Sequence, residues 1–197
     1  SDDTVPLAFA LASSSCYLAG QYRATKPFTV GAISALGPLL AAQGSASSPG
    51  IKLDDGVVVT CSSLTAQGIA IVHGNASEIV NSGPSRFANV YYYDASSSTG
   101  ASLTTTQFDG ESSVISTVRG IANTIGGDVD SCTISGTASI YPSTPVAVIA
   151  NANRTTFTNC NPFTGVNGGN LLECTFKSPR AWQLSIPSGA AVEVSNC

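Results

Sequence analysis

Six cysteines, one histidine and twelve carboxylates are the residues of this chain with chemistry to offer. Cys16, Cys61, Cys132, Cys160, Cys174 and Cys197 include no Cys-x-x-Cys pair, so their spacing favours structural disulfides over a zinc site or redox centre. Pairing sequence neighbours, Cys16–Cys61, Cys132–Cys160 and Cys174–Cys197, closes three local loops and pins the last residue. Many other pairings satisfy the same count. The single histidine, His73, sits in GIAIVHGNAS and reads as an imidazole packed on a strand beside Ile69 and Ile71. A Ser–His–acid triad would need it, yet no serine occupies a Gly-x-Ser-x-Gly elbow. Paired histidine metal ligands are excluded by the count, and neither a dinucleotide fingerprint nor a phosphate-binding loop occurs. No catalytic residue and no cofactor is assigned.

Glycoside cleavage needs only two carboxylates. The candidates are Asp54, Asp55, Glu78, Asp94, Asp109, Glu111, Asp128, Asp130, Glu173 and Glu193, most of which read as solvated acids at turns or strand ends. Asp128-Val129-Asp130 places two hard-oxygen donors on one face, a weak calcium candidate that completes no loop signature. Metal binding is therefore not assigned. Tyr91, Tyr92, Tyr93 and Trp182 are the candidate glycan contacts, with cross-strand packing as the alternative use of the tyrosines. The hydroxyl-rich runs Leu103–Thr106 and Thr155–Thr158 read as solvent faces of strands, where threonine is favoured.

Two glycosylation acceptors, Asn75-Ala76-Ser77 and Asn153-Arg154-Thr155, join the cysteines in pointing to a secreted, extracellular or cell-surface glycoprotein. A first residue other than Met, and no Met anywhere, suggest a mature chain without its leader. Only 10% of residues are charged, against about 25% in ordinary soluble domains. The eight basic residues are scattered and the net charge is −4, which leaves no basic stripe for nucleic acid or anionic lipid. The uncharged stretch between Lys26 and Lys52 is broken by Gly31, Gly37 and Pro38, so it predicts core strands joined by turns instead of membrane insertion.

The elements that must position these residues are strands. Val5, Leu7, Phe9 and Leu11 alternate with Pro6 and alanines, which predicts a first strand over Val5–Ala12, usable also as a donor strand between subunits. Further strands are expected at 16–24, 28–40, 57–61, 68–73, 87–94, 131–141, 146–151, 155–159, 171–176, 181–186 and 191–194. Asp54-Asp55-Gly56 marks a tight turn. Val114, Ile115, Val118, Ile121 and Ile125 recur at helical spacing, predicting one short helix near 112–125. GIAIVHGNAS and PVAVIANANRT resemble each other as a short internal repeat, but no strict solenoid period is visible. The reading is one β-rich domain over 1–197, mainly antiparallel, a disulfide-stabilised sandwich or barrel with a β-solenoid as alternative. Its expected role is non-enzymatic: a structural or adhesive domain of the cell surface or wall, alternatively a carbohydrate-binding module or a filament or coat subunit. Surface polysaccharide or identical subunits are the partners this implies.

Overall fold

A computed structural model describes residues 1–12, 15–95, 102–116, 121–122, 128–135, 151–158, 163–164, 170–177, 184–185 and 193–197. They form a β-solenoid in which every described strand pair is parallel. Sheet A has nine strands, sheet B eight, sheet C five, and a separate pair, Phe163–Thr164 with Leu184–Ser185, completes the described strands. About five turns carry a strand of all three large sheets. The fourth turn is representative: Pro84–Ala88 lies in sheet A, Tyr91–Asp94 in sheet B and Ser102–Thr104 in sheet C. The expected antiparallel sandwich or barrel is thus replaced by the solenoid. Turn signals such as Asp54-Asp55-Gly56 are corners between sheets, here joining Gly50–Leu53 of sheet B to Val58–Cys61 of sheet C, and not hairpin loops.

Side chains alternate in and out of each coil, and inward ones stack on the same position of the next coil. In sheet B the inward column runs Tyr22, Ile51, Ile71, Tyr92, Ile115, Ile134, Phe157, Phe176. Phe157 and Phe176 stack with ring centroids 5.2 Å apart. Sheet A contributes Ala35, Ala66, Phe87, Gly110, Val129, Ala152 and Leu171 to the same core. Small residues there leave room for the rings of Phe87 and Phe108, which meet edge to face at 5.1 Å.

The corner between sheets A and B repeats one conformation. Gly68, Asn89, Ser112, Ser131, Arg154, Glu173 and Asn196 all have φ between 45° and 64°. The N–H of each from Gly68 to Glu173 donates to a carbonyl of the following coil, as in Gly68 to Ala88 and Glu173 to Ser195. The next residue turns inward: Ile69, Val90, Ser113, Cys132, Thr155 and Cys174 are all buried. Ser113 Oγ, Cys132 Sγ, Thr155 Oγ1, Cys174 Sγ and Cys197 Sγ each donate to the carbonyl two residues earlier. Cysteine here does the work of serine or threonine, as a small donor satisfying a carbonyl at the corner.

The expected disulfides are not formed among the described residues. Cys16, Cys61, Cys132, Cys174 and Cys197 are free thiols, and Cys160 lies outside the described residues. Cys16 belongs to sheet A and Cys61 to sheet C, so the expected bond between them has no geometric basis.

Two further expectations are corrected. Residues Thr4–Leu11 form a helix, α1, instead of an edge strand. The period-2 alternation also makes two i, i+4 stripes: Leu7 and Leu11 are buried, whereas Val5 and Phe9 are 79% and 83% exposed. Pro6 falls in the first turn, where its missing N–H breaks no helical bond. The Asp2 carboxylate accepts from the Thr4 N–H and hydroxyl, Asp3 accepts from the Arg23 N–H, and the helix covers the first coil. The predicted helix near 112–125 is the strands Val114–Ser116 and Ile121–Ala122, with 117–120 and 123–125 outside the described residues. No helix among the described residues is long and apolar enough to cross a membrane.

Candidate functional site

The outward positions of sheet A form two parallel columns along the solenoid. The first runs Thr65, Arg86, Asp109, Asp128, Asn151, Asn170, Glu193. The second runs Gln67, Ala88, Glu111, Asp130, Asn153, Leu172, Ser195. From Thr65 to Asn170 and from Gln67 to Leu172 they line a shallow depression of about 870 Å³ that crosses successive coils. Coil spacing, roughly 4.7–4.9 Å between paired strands, sets the repeat of polar groups along it.

Side chains of the first column bind one another from coil to coil. Arg86 Nε lies 3.6 Å from Asp109 Oδ2, and Asp109 Oδ1 accepts from the Asp128 N–H at 3.2 Å. Asn151 Nδ2 donates to Asp128 Oδ1 at 2.7 Å, and Asn151 Oδ1 accepts from the Asn170 N–H at 3.2 Å. In the second column Arg154, from the corner, donates through Nη2 to both oxygens of Asp130 at 2.7 and 2.6 Å. These contacts fix planar polar groups on a rigid sheet. Four carboxylates, Asp109, Glu111, Asp128 and Asp130, face two guanidinium groups, so the depression is electronegative.

The residues singled out from sequence are distributed differently. Asp128 and Asp130 do share one face, but Asn151 and Arg154 engage them. Among the described residues no group of three or more His, Cys, Asp or Glu side chains could hold a metal ion. Tyr92 is buried in the core against His73 and Phe87, and so cannot touch a ligand. Tyr91 and Tyr93 point outward from sheet B, stacked at 5.8 Å, with Tyr91 packed on Gly44 of the excursion between Leu36 and Gly50. Trp182 lies outside the described residues. His73 is fully buried, with Nδ1 and Ser77 Oγ 2.8 Å apart. Thr156 and Thr158 face outward on sheet B and Thr155 inward.

Burial pushes the Cys61 thiol up to about 11 and raises those of Cys132 and Cys174, which suppresses the thiolate that nucleophilic chemistry requires. Of the sequons, Asn75 lies in the turn from sheet B to sheet C, where its N–H donates to Asp55. Asn153 lines the depression.

Sequence reading missed Arg86, Asn151 and Asn170, took Asn153 only as a glycosylation acceptor, and joined Asp128 to Asp130 without Asp109 and Glu111 of the neighbouring coil. The signal was present. DGESSVIS from Asp109, DVDSCTIS from Asp128, NANRTTFT from Asn151 and NLLECTFK from Asn170 align without gaps. Each places two polar or long residues on the outer face before the corner and a β-branched or aromatic strand after it.

No family model, curated protein or solved structure matches this chain.

Proposed function

We propose that this chain is a non-catalytic, extracellular adhesive domain that binds an extended glycan along the outer face of sheet A. The observation that carries the reading is the row Arg86, Asp109, Asp128, Asn151 and Asn170 on consecutive coils of one shallow depression. Carboxylates, amides and guanidinium groups present paired acceptors or donors in a plane, the shape that engages neighbouring hydroxyls of a sugar. A row repeating every coil suits a polymer lying along the solenoid. Because carboxylates outnumber cations, uncharged or basic glycans are favoured and uronate or sulfate polymers are repelled.

Binding fits better than cleavage. A glycosidase needs one carboxyl in surroundings that keep its proton and a second as nucleophile or base. Here Asp109 already has Arg86 on it, Asp130 has Arg154 and Asp128 has the Asn151 amide. The surface location is part of the same proposal, with Asn75 as the modified sequon and Asn153 left bare, because a glycan on Asn153 would fill the depression.

The test is a glycan array spanning neutral, amino and acidic polysaccharides, followed by titration of the wild type and Asp128→Ala. Saturable binding to a neutral or basic glycan, weakened about tenfold or more in the variant, is expected. A blank array, or preferred binding of acidic polymers, would sink the proposal.

A further inference from the structure

One position of the depression is built differently from its neighbours. Asn153 lies in the second column between Asp130 and Leu172, paired in register with both. Its Oδ1 is buried and has no hydrogen-bond donor in the fold. Turning the amide about χ2 sacrifices no bond to Oδ1 and would bring that oxygen to a donor in the depression. Asn151, two residues earlier, differs: its Nδ2 and Oδ1 are both engaged along the first column. On the next coil Leu172 points outward and is 41% exposed, a large apolar side chain on a mainly polar face. An adjustable amide thus sits one coil away, roughly 4.7–4.9 Å, from an exposed aliphatic patch.

We infer that Asn153 and Leu172 form a subsite for an acetamido group, which makes the preferred ligand a glycan containing N-acetylated amino sugars. This rests on the glycan-binding reading of the same face. An acetamido group carries an N–H, a carbonyl and a methyl on one planar unit. Its N–H or carbonyl pairs with the Asn153 amide, which can present either end. Its methyl lies on Leu172, removing apolar surface of both from water. A plain hydroxyl at the same place would satisfy the amide and leave the leucine uncovered. A free ammonium would meet the carboxylates but gain nothing from Leu172. The group is uncharged, in keeping with the electronegative depression around it.

The experiment compares three oligosaccharides with one backbone and different substituents: N-acetylglucosamine oligomers, their de-acetylated amines and the glucose oligomers with hydroxyl. Each is titrated against wild type, Leu172→Ser and Asn153→Ala, in protein whose mass shows Asn153 unmodified. Thermal melts accompany each titration, and the exposed Leu172 provides a variant that leaves the core untouched. The expected result is about tenfold or greater preference for the N-acetylated oligomer, lost in Leu172→Ser and Asn153→Ala. Equal binding of all three, a preference for the amine or hydroxyl form, or a preference that survives both substitutions would overturn the acetamido subsite and leave the glycan-binding face standing. No binding of any glycan would remove both.

Discussion

The corner between sheets A and B gives a prediction in which one conformation yields opposite outcomes at two positions. Gly68 and Glu173 both adopt left-handed backbone, at φ 64° and 53°. At Gly68 a Cβ would lie 2.2 Å from the Gly37 carbonyl oxygen, a backbone atom with no side chain to swing away. Gly68→Ala therefore combines the left-handed cost, roughly 1–2 kcal/mol, with an overpacking cost of about 1–3 kcal/mol. The sum is roughly 2–5 kcal/mol, which at about 2–4 °C per kcal/mol lowers Tm by roughly 4–20 °C. Glu173 already carries the left-handed cost on an exposed side chain. Glu173→Gly relieves about 1–2 kcal/mol and returns roughly 0.5–1 kcal/mol to backbone entropy, for a net gain of roughly 0–1.5 kcal/mol. Both variants are measured by calorimetry and by denaturant unfolding with matched slopes. A tolerated Gly68→Ala, or a Glu173→Gly that destabilises, would refute the shared left-handed corner.

Three other outcomes follow from the same structure. Native thiol labelling with peptide mapping should modify Cys16 and Cys197 quickly and reach Cys61, Cys132 and Cys174 only on unfolding; disulfide-linked peptides would contradict the free-thiol corner. The Cys61 thiol, raised by burial from 9.0 to about 11, keeps its stabilising contribution below pH 9 and loses it as pH rises toward 11. The loss amounts to about 2–3 kcal/mol, and Cys61→Val should flatten that limb of the stability curve, while an unchanged limb would count against the burial argument. At the other end of the scale, hydrogen bonds from Thr4 and from the Arg23 N–H hold the Asp2 and Asp3 carboxyls below the usual carboxylate range. Their contribution is present above about pH 4 and lost below it, so amide exchange in α1 should accelerate on acidification before exchange in sheet B does.

How much of this was legible in the sequence depends on which interaction each residue serves. Strand character was legible, because Val57–Cys61 and Gly68–His73 are β-branched runs whose inward residues reach the core. The solenoid was hidden by its uneven coil. Val129, Ala152, Leu171 and Val194 share one column at spacings of 23, 19 and 23 residues, and the excursion from Gly37 to Pro49 lengthens an earlier coil further. The apparent repeat of GIAIVHGNAS and PVAVIANANRT has its second apolar run, 145–150, outside the described residues, and its shared Asn-Ala step falls in the turn from sheet B to sheet C at Asn75 but in sheet A at Asn151. The cysteines misled because three of them fill a corner position that Ser113 and Thr155 fill on other coils. Tyr91-Tyr92-Tyr93 misled because alternation sends the middle ring inward. The acids of sheet A were each visible, but only the coil register brings Asp109 beside Asp128 and Glu111 beside Asp130.

The central claim is that sheet A is the face that binds glycan. Amide and side-chain NMR mapping during titration with a glycan selected from the array tests it most directly. Saturable perturbations confined to Arg86, Asp109, Asp128, Asn151, Asn153 and Asn170, with no hydrolysis of the glycan, are the predicted result. Perturbations centred on the outer face of sheet B, or cleavage abolished by Asp109→Asn, would contradict it.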